Sequence, residues 1–138
     1  MKAMILAAGF GRRMGALTKV TPKPLLKIQD KALVEHALSY CKTSGITEVV
    51  INVHYHAEQI MSFLGNGERY GMQIEYSDER GCLLGTGGGI LKALPLLGDQ
   101  PFVLLSSDIV TDFSLAQLPV LKGDEQAHLV LVNNPEHH

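Results

Sequence analysis

Short apolar runs alternate along this chain with stretches whose apolar residues recur at helical spacing. Lys2 to Ala7 is an apolar run closed by glycine, the pattern of a buried strand feeding a tight loop. From Ala32 the positions Leu33, Val34, Ala37, Leu38 and Cys41 follow one helical face, and Gly45 stands where a C-terminal cap belongs. Glu48 to Val53 is rich in β-branched residues and predicts a second buried strand. Ala57 to Leu64 returns to helical spacing through Ile60, Met61 and Leu64, and Gly65-Asn66-Gly67 ends it. Met72 to Tyr76 predicts a third strand. Gly85 to Gly89 reads as a loop, with Thr86 as N-cap, opening a helix over Ile90 to Leu97. Phe102 to Leu105 predicts a fourth strand ending at Ser106-Ser107-Asp108, and His128 to Val132 a fifth. Asp112 suits the cap of a short helix over Phe113 to Leu118.

Strands and helices alternating in this way predict an α/β fold, a doubly wound and mostly parallel sheet covered on both faces. Ligands of such sheets sit at the carboxyl ends of the strands. Three features fall there: the loop after the first strand, the Gly85 cluster and Asp108. No repeat, low-complexity tract or linker interrupts the chain, so residues 1–138 read as one domain.

Composition supports a compact fold, with 46% apolar and 19% charged residues. The net charge of −2 and the scattered lysines and arginines provide no basic stripe, which argues against a nucleic-acid partner. The apolar start is cut by Gly9 to Arg13 below signal-peptide length, and no run reaches the ~18 residues of a membrane span. The expectation is a cytoplasmic protein without a membrane partner. Cys41 and Cys82 fit neither metal-ligand spacing nor a disulfide framework and read as reduced thiols. His54 and His56 read as satisfied or exposed histidines rather than metal ligands.

The candidate chemistry starts in Leu6-Ala7-Ala8-Gly9-Phe10-Gly11-Arg12-Arg13-Met14-Gly15. The dinucleotide fingerprint requires a third glycine where Met14 stands, and the Gly-Lys-Ser/Thr of a P-loop is missing. Arg12, Arg13, Lys19 and Lys23 nevertheless surround the glycines, with no acidic residue from Gly9 to Pro24. Backbone N–H groups freed by glycine, together with several cations, make a cradle for a polyphosphate. Pro22 and Pro24 fix the backbone on either side of Lys23 and aim one cation at one place. The alternative reading is a solvated turn with surface bases. Asp108, behind an apolar strand, is suited to Mg²⁺ or to capping a helix. Four glycines in five residues at 85–89 are costly to order and favour close approach of a ligand. Glu79 has two readings. Its carboxylate could accept from both donors on a guanine edge, favouring GTP, or Asp78-Glu79-Arg80 could be an exposed, salt-bridged turn.

Gly9 to Thr18 followed by Thr21-Pro22-Lys23-Pro24-Leu25-Leu26 resembles the signature of the sugar-1-phosphate nucleotidyltransferases, GxGxRxxPLT, a spacer and PKP. The resemblance continues through Val50 to Tyr55, Ser77 to Arg80, Leu84 to Ile90, Lys92 to Gly98 and Ser107-Asp108. Within the family the chain is most similar to bacterial mannose-1-phosphate guanylyltransferases and N-acetylmuramate-1-phosphate uridylyltransferases. Ala16 and Lys27 replace common prolines, and Arg12 replaces a usual Thr, Ser or Glu.

The resemblance implies a Rossmann-like sheet of the nucleotide-diphospho-sugar transferase type, incomplete at the C-terminal side. It implies NTP, with GTP or UTP favoured, and a sugar 1-phosphate as partners, Mg²⁺ as cofactor, and admits a homo-oligomer. By position, Arg13 would hold the β- and γ-phosphates and Lys23 would touch the α-phosphate under attack, while Asp108 would bind the magnesium. Leu6, Ala8 and Gly9 would meet base and ribose, Gly87 and Gly88 would line base and sugar, and Gly11 and Arg12 would complete the phosphate loop. Asn52 and His54 match a recurrent structural element near the site. The family's sugar pocket and a second metal-binding aspartate would lie past residue 138, so this stretch alone would have little activity. The Asn134–His138 ending resembles a mid-family segment more than a tag. The alternative function is a nucleotide- or sugar-nucleotide-sensing module without catalysis, against which Arg13, Lys23 and Asp108 weigh. A dinucleotide-binding dehydrogenase domain is disfavoured by Met14.

Overall fold

The computed structural model describes residues 1–133. The elements in order are β1 (Ala3–Leu6), β2 (Lys27–Ile28), β3 (Lys31–Ala32), α1 (Leu33–Thr43), β4 (Glu48–Val53), α2 (Ala57–Leu64), β5 (Gln73–Asp78), α3 (Gly85–Leu97) and β6 (Val103–Ser106). Short 3₁₀ segments occupy Arg12–Thr18, Lys23–Leu25, Glu68–Tyr70 and Leu115–Gln117. β2 and β3 form a small antiparallel hairpin.

The main sheet has the order β5-β4-β1-β6 and is parallel throughout. From β1 the chain steps outward to β4 and β5, then returns to pair β6 on the other side of β1. The direction of winding therefore reverses between β1 and β6. In open α/β sheets that reversal leaves a crevice above the strand ends where ligands settle.

Alternate residues serve opposite faces of the sheet. One face carries Ala3, Ile5, Val49, Ile51, Val53, Ile74 and Val103 against Val34, Ala37, Leu38 and Cys41 of α1 and Ala57, Ile60 and Leu64 of α2. The other sets Met4 and Val50 against Ala93 and Leu97 of α3. Burying each such side chain contributes about 1.5–3 kcal/mol. At the foot of α1, Gly45 takes φ 79°, and Gly45 N–H and Ile46 N–H return to the carbonyls of Lys42 and Cys41, closing the helix where the glycine predicted.

Three sequence expectations are corrected. Gly85 to Gly89 is not a loop but the first turns of α3, and Leu84, not Thr86, stands at its N-cap. Helix geometry costs glycine only about 1 kcal/mol per residue, less than the packing of the rest of α3 returns. Phe113 to Leu118 holds only the 3₁₀ turn Leu115–Gln117. There Phe113 N–H is held by Thr111 Oγ1, and Ser114, not Asp112, stands at the N-cap of the turn. His128 to Val132 has no strand partner among the described residues, and Leu131 is 81% exposed. A β-branched apolar run becomes a strand only when a neighbour takes its hydrogen bonds, and no strand pairs with the outer edge of β6 among the described residues. The Asn134–His138 ending lies outside the described residues. No helix among them is long and apolar enough to cross a membrane.

Candidate active site

The loop leaving β1 is shaped by two glycines and one buried threonine. Gly11 takes φ 62° and Gly15 φ 57°, ψ −124°, conformations that favour glycine. Thr18 is buried, and its hydroxyl donates to Gly11 O at 3.0 Å, while Met14 N–H donates to the same carbonyl at 2.9 Å. A Cβ on Gly11 would stand 3.0 Å from Thr18 Cγ2 and 3.2 Å from Lys23 Cβ. Gly11 thus lets the loop press against the segment carrying Lys23. Thr18 was not singled out from the sequence. A hydroxyl that closes a loop back onto a carbonyl leaves no mark in composition or periodicity.

Side chains around β4's end clamp the outside of this loop. His56 Nε2 and Tyr55 Oη lie 3.1 and 3.3 Å from Lys19 O, and Gln59 Nε2 donates to Val20 O at 2.9 Å. Phe10 packs edge-on to His54 at 5.3 Å, and the Arg12 guanidinium stacks 4.9 Å above the Phe10 ring. Arg12 and Arg13 are both exposed, Arg13 without an aromatic ring beneath it among the described residues. His54 and His56 thus act as hydrogen-bonding and packing groups, as the sequence suggested. An open cleft of about 450 Å³ lies on the outer side of the loop, lined by Phe10, Arg12, Thr18, Lys19 and Tyr55, and includes neither Lys23 nor Asp108.

Pro22 (φ −63°) leads into the 3₁₀ turn Lys23–Leu25, closed by Leu25 N–H to Pro22 O at 2.9 Å. That turn directs Lys23 to the end of β6, where its Nζ pairs with the Asp108 carboxylate. The Ser106 hydroxyl donates to the other oxygen of Asp108. Lys23, and secondarily Ser106, hold the Asp108 carboxyl below its ordinary range, so it is anionic at neutral pH. Residues 85 positions apart meet above the β1–β6 crevice. Leu6 O accepts from Ser107 N–H at 3.1 Å, which ties the two strand ends together.

Glu79 is corrected on both of its sequence readings. It is fully buried, with Oε1 accepting from Asn52 Nδ2 at 2.8 Å and Oε2 from Leu84 N–H at 3.2 Å. Both oxygens are used inside the protein, so the carboxylate reaches no base edge. The salt-bridged turn exists, but through Arg80 to Asp78 and Glu58. Gly87, on the first turns of α3, faces open space, as does Gly9. Ala8 is buried, and Gly88 has only Leu84 Cβ within 3 Å of its Cβ direction. The structure therefore brings Lys23 and Asp108 together, leaves Arg13 facing solvent, and removes Glu79 to the interior.

No group of three or more His, Cys, Asp or Glu among the described residues could hold a metal by itself. Asp108 is nevertheless suited to Mg²⁺. It is a hard anionic oxygen donor, and Mg²⁺ is commonly held by one or two carboxylates plus substrate phosphates rather than by a full protein cage.

Residues 2–137 match the profile of the family described as Nucleotidyl transferase. The chain is 48% identical over 141 aligned residues to an N-acetylmuramate alpha-1-phosphate uridylyltransferase of Neisseria meningitidis serogroup B, covering 99% of this chain and 61% of the relative. It is 40% identical to the mannose-1-phosphate guanylyltransferase catalytic subunit beta of Dictyostelium discoideum, covering 86% and 33% respectively. A UDP-glucose pyrophosphorylase crystallised with UDP-glucose superposes with a TM-score of 0.69 at 26% identity, over 82% of this chain and 48% of that one. The chain thus spans less than two thirds of the length of each.

Proposed function

The chain belongs to the nucleotidyl transferase family, and from that membership we propose that the whole protein transfers a nucleotidyl group from an NTP to a sugar 1-phosphate, releasing pyrophosphate. The observation that carries this reading is the meeting of Lys23 and Asp108 above the β1–β6 crevice, beside the glycine loop. The reaction joins two anions. A phosphate oxygen of the sugar phosphate attacks the α-phosphorus, the bond to the departing pyrophosphate breaks, and the barrier is largely electrostatic.

Each residue has a task in that scheme. Lys23, held by its proline-bounded turn, touches the α-phosphate where negative charge builds up. Arg13, exposed at the loop while Arg12 rests on Phe10, holds the β- and γ-phosphates and steadies the leaving group. The open space at Gly9 and Gly87 admits the nucleotide against the β1 loop and the start of α3. Asp108 would hold the divalent cation, Mg²⁺, together with the phosphate oxygens, and the cation would supply further positive charge to the reacting phosphates. In the free protein Lys23 and Asp108 neutralise one another. No covalent nucleophile is needed, and Cys41 is unsuited to be one, since burial pushes its thiol up to about 11.

For the base, UTP is favoured. A carboxylate at the base edge would favour GTP, but the Glu79 carboxylate is internal. The relative covering nearly all of this chain at 48% identity is named for uridylyl transfer. A thermal-shift panel of UTP, GTP, dTTP, CTP and ATP with Mg²⁺ tests both levels. UTP is expected to raise the melting temperature most. A larger shift with GTP overturns the choice of base, and a panel without any shift overturns the NTP site.

A further inference from the structure

A buried chain of hydrogen bonds runs beneath the proposed site. Ala7 N–H, the first amide past β1, donates to Asn52 Oδ1 at 2.8 Å. Because that backbone donor fixes the amide's orientation, Asn52 Nδ2 faces Glu79 Oε1, and it donates there at 2.8 Å. Glu79 Oε2 then accepts from Leu84 N–H, at the N-cap of α3. Asn52 is 3% exposed and Glu79 not at all. Glu79's backbone is fixed as well, its N–H donating to Val53 O at 2.7 Å and its carbonyl accepting from His54 Nδ1 at 2.6 Å.

The order of donors and acceptors in this chain is strict. A backbone donor stands at each end, so the two side chains between must present acceptors outward and one donor between them. Asparagine followed by a carboxylate does this. Gly89 is part of the same arrangement, since a Cβ there would stand 2.7 Å from Glu79 Oε1 and 3.0 Å from Asn52 Nδ2. One of the glycines of α3 is thereby required by an internal carboxylate rather than by a ligand.

We propose that Asn52 and Glu79 are positioning residues that lock the β1 loop to the N-terminal end of α3 and so set the spacing of the two backbone walls between which the nucleotide binds. The inference rests on the NTP site proposed above. Ala7 adjoins Ala8 and Gly9, and Leu84 adjoins the first turns of α3. Small displacements of a binding wall have large effects on a ligand that depends on fixed geometry. Glu79 then influences nucleotide affinity without touching the base.

Polarity reversal tests this. Glu79→Gln leaves one amide N–H₂ facing a donor, and Asn52→Asp sets two carboxylates against each other. Combined, Asn52→Asp/Glu79→Gln restores the pattern in reverse. The new carboxylate at position 52 accepts from Ala7 N–H and from the new amide, whose oxygen accepts from Leu84 N–H, with the net charge unchanged. Titration calorimetry of the chain with UTP and Mg²⁺, alongside melting temperature, is the readout. Each single variant is expected to weaken UTP binding about tenfold or more, the effect of a mismatched buried polar group. The double variant is expected to return to within about threefold of the unaltered chain. Ser77→Ala is the control. Ser77 sits beside Asn52 in the sheet register, and its buried Oγ has no partner among the described residues, so UTP affinity should not change. Single variants that melt earlier but bind UTP as before overturn the inference, as does an equal loss in Ser77→Ala. Should the single variants not fold, the double variant decides, since its failure to fold or bind refutes the reversed pattern. An unaltered chain that binds no nucleotide refutes the NTP site itself.

Discussion

Lys23 and Asp108 are far apart in the sequence and joined in the fold, and their contact has a pH signature. Asp108's carboxyl is held below its ordinary value first by Lys23 and then by Ser106. A depressed carboxyl pKa contributes stability above the ordinary carboxylate value of about 3.9, and that contribution is lost as pH falls through the folded-state value. The pair is partly exposed and screened, so it is worth at most ~1 kcal/mol. Melting temperature measured from about pH 5 down to pH 3 should therefore fall more steeply for the unaltered chain than for Lys23→Met, which has no such pair to lose. Parallel curves would show that the contact contributes no stability. At this scale the sequence revealed residue types and spacing, namely a lysine between prolines and an aspartate at a strand's end. It concealed burial. Glu79 lies between Asp78 and Arg80, both on the surface, and nothing local distinguishes it. Its neighbours Asn52, Leu84 and Gly89 come from three other places in the chain.

The elements were legible in proportion to how regular and buried they are. β1, β4, β5, β6, α1 and α2 lie where apolar periodicity put them, within a residue or two at their ends. α3 was half visible, because its first turns are made of glycine, which local propensity assigns to a loop. Those turns exist because Ala93 and Leu97 bury against Met4 and Val50 and because Glu79 holds Leu84 at the helix entry. This predicts a conflict between stability and binding at Gly87, where an added Cβ meets no protein atom. Gly87→Ala should raise stability by about 0.5–1 kcal/mol through helix propensity and weaken UTP binding by crowding the nucleotide's wall. Calorimetric melting and UTP titration read the two effects separately. If binding improves along with stability, Gly87 does not face the ligand.

For the whole molecule, the reversal of winding between β1 and β6 matters most, because it puts the glycine loop and Asp108 on one crevice. The sheet also defines what is outside it. Ile51→Ala, in the fully buried centre of β4, should cost about 2–5 kcal/mol. Leu131→Lys should change stability by less than about 0.5 kcal/mol, since residues 128–132 pair with no strand among the described residues. Urea unfolding of both variants measures this, and a large loss for Leu131→Lys would place that segment in the sheet. By itself the sequence determined the α/β class, the order of the four strands of the main sheet and the three helices, and the cationic, glycine-rich loop, because periodicity, β-branching and turn residues act over a few positions. Only the tertiary structure decided that Lys23 meets Asp108, that Glu79 turns inward and that 128–132 stays unpaired. Each of those depends on which distant segment supplies a partner, and hydrogen bonds, ion pairs and strand ladders form only where folding brings donor and acceptor together.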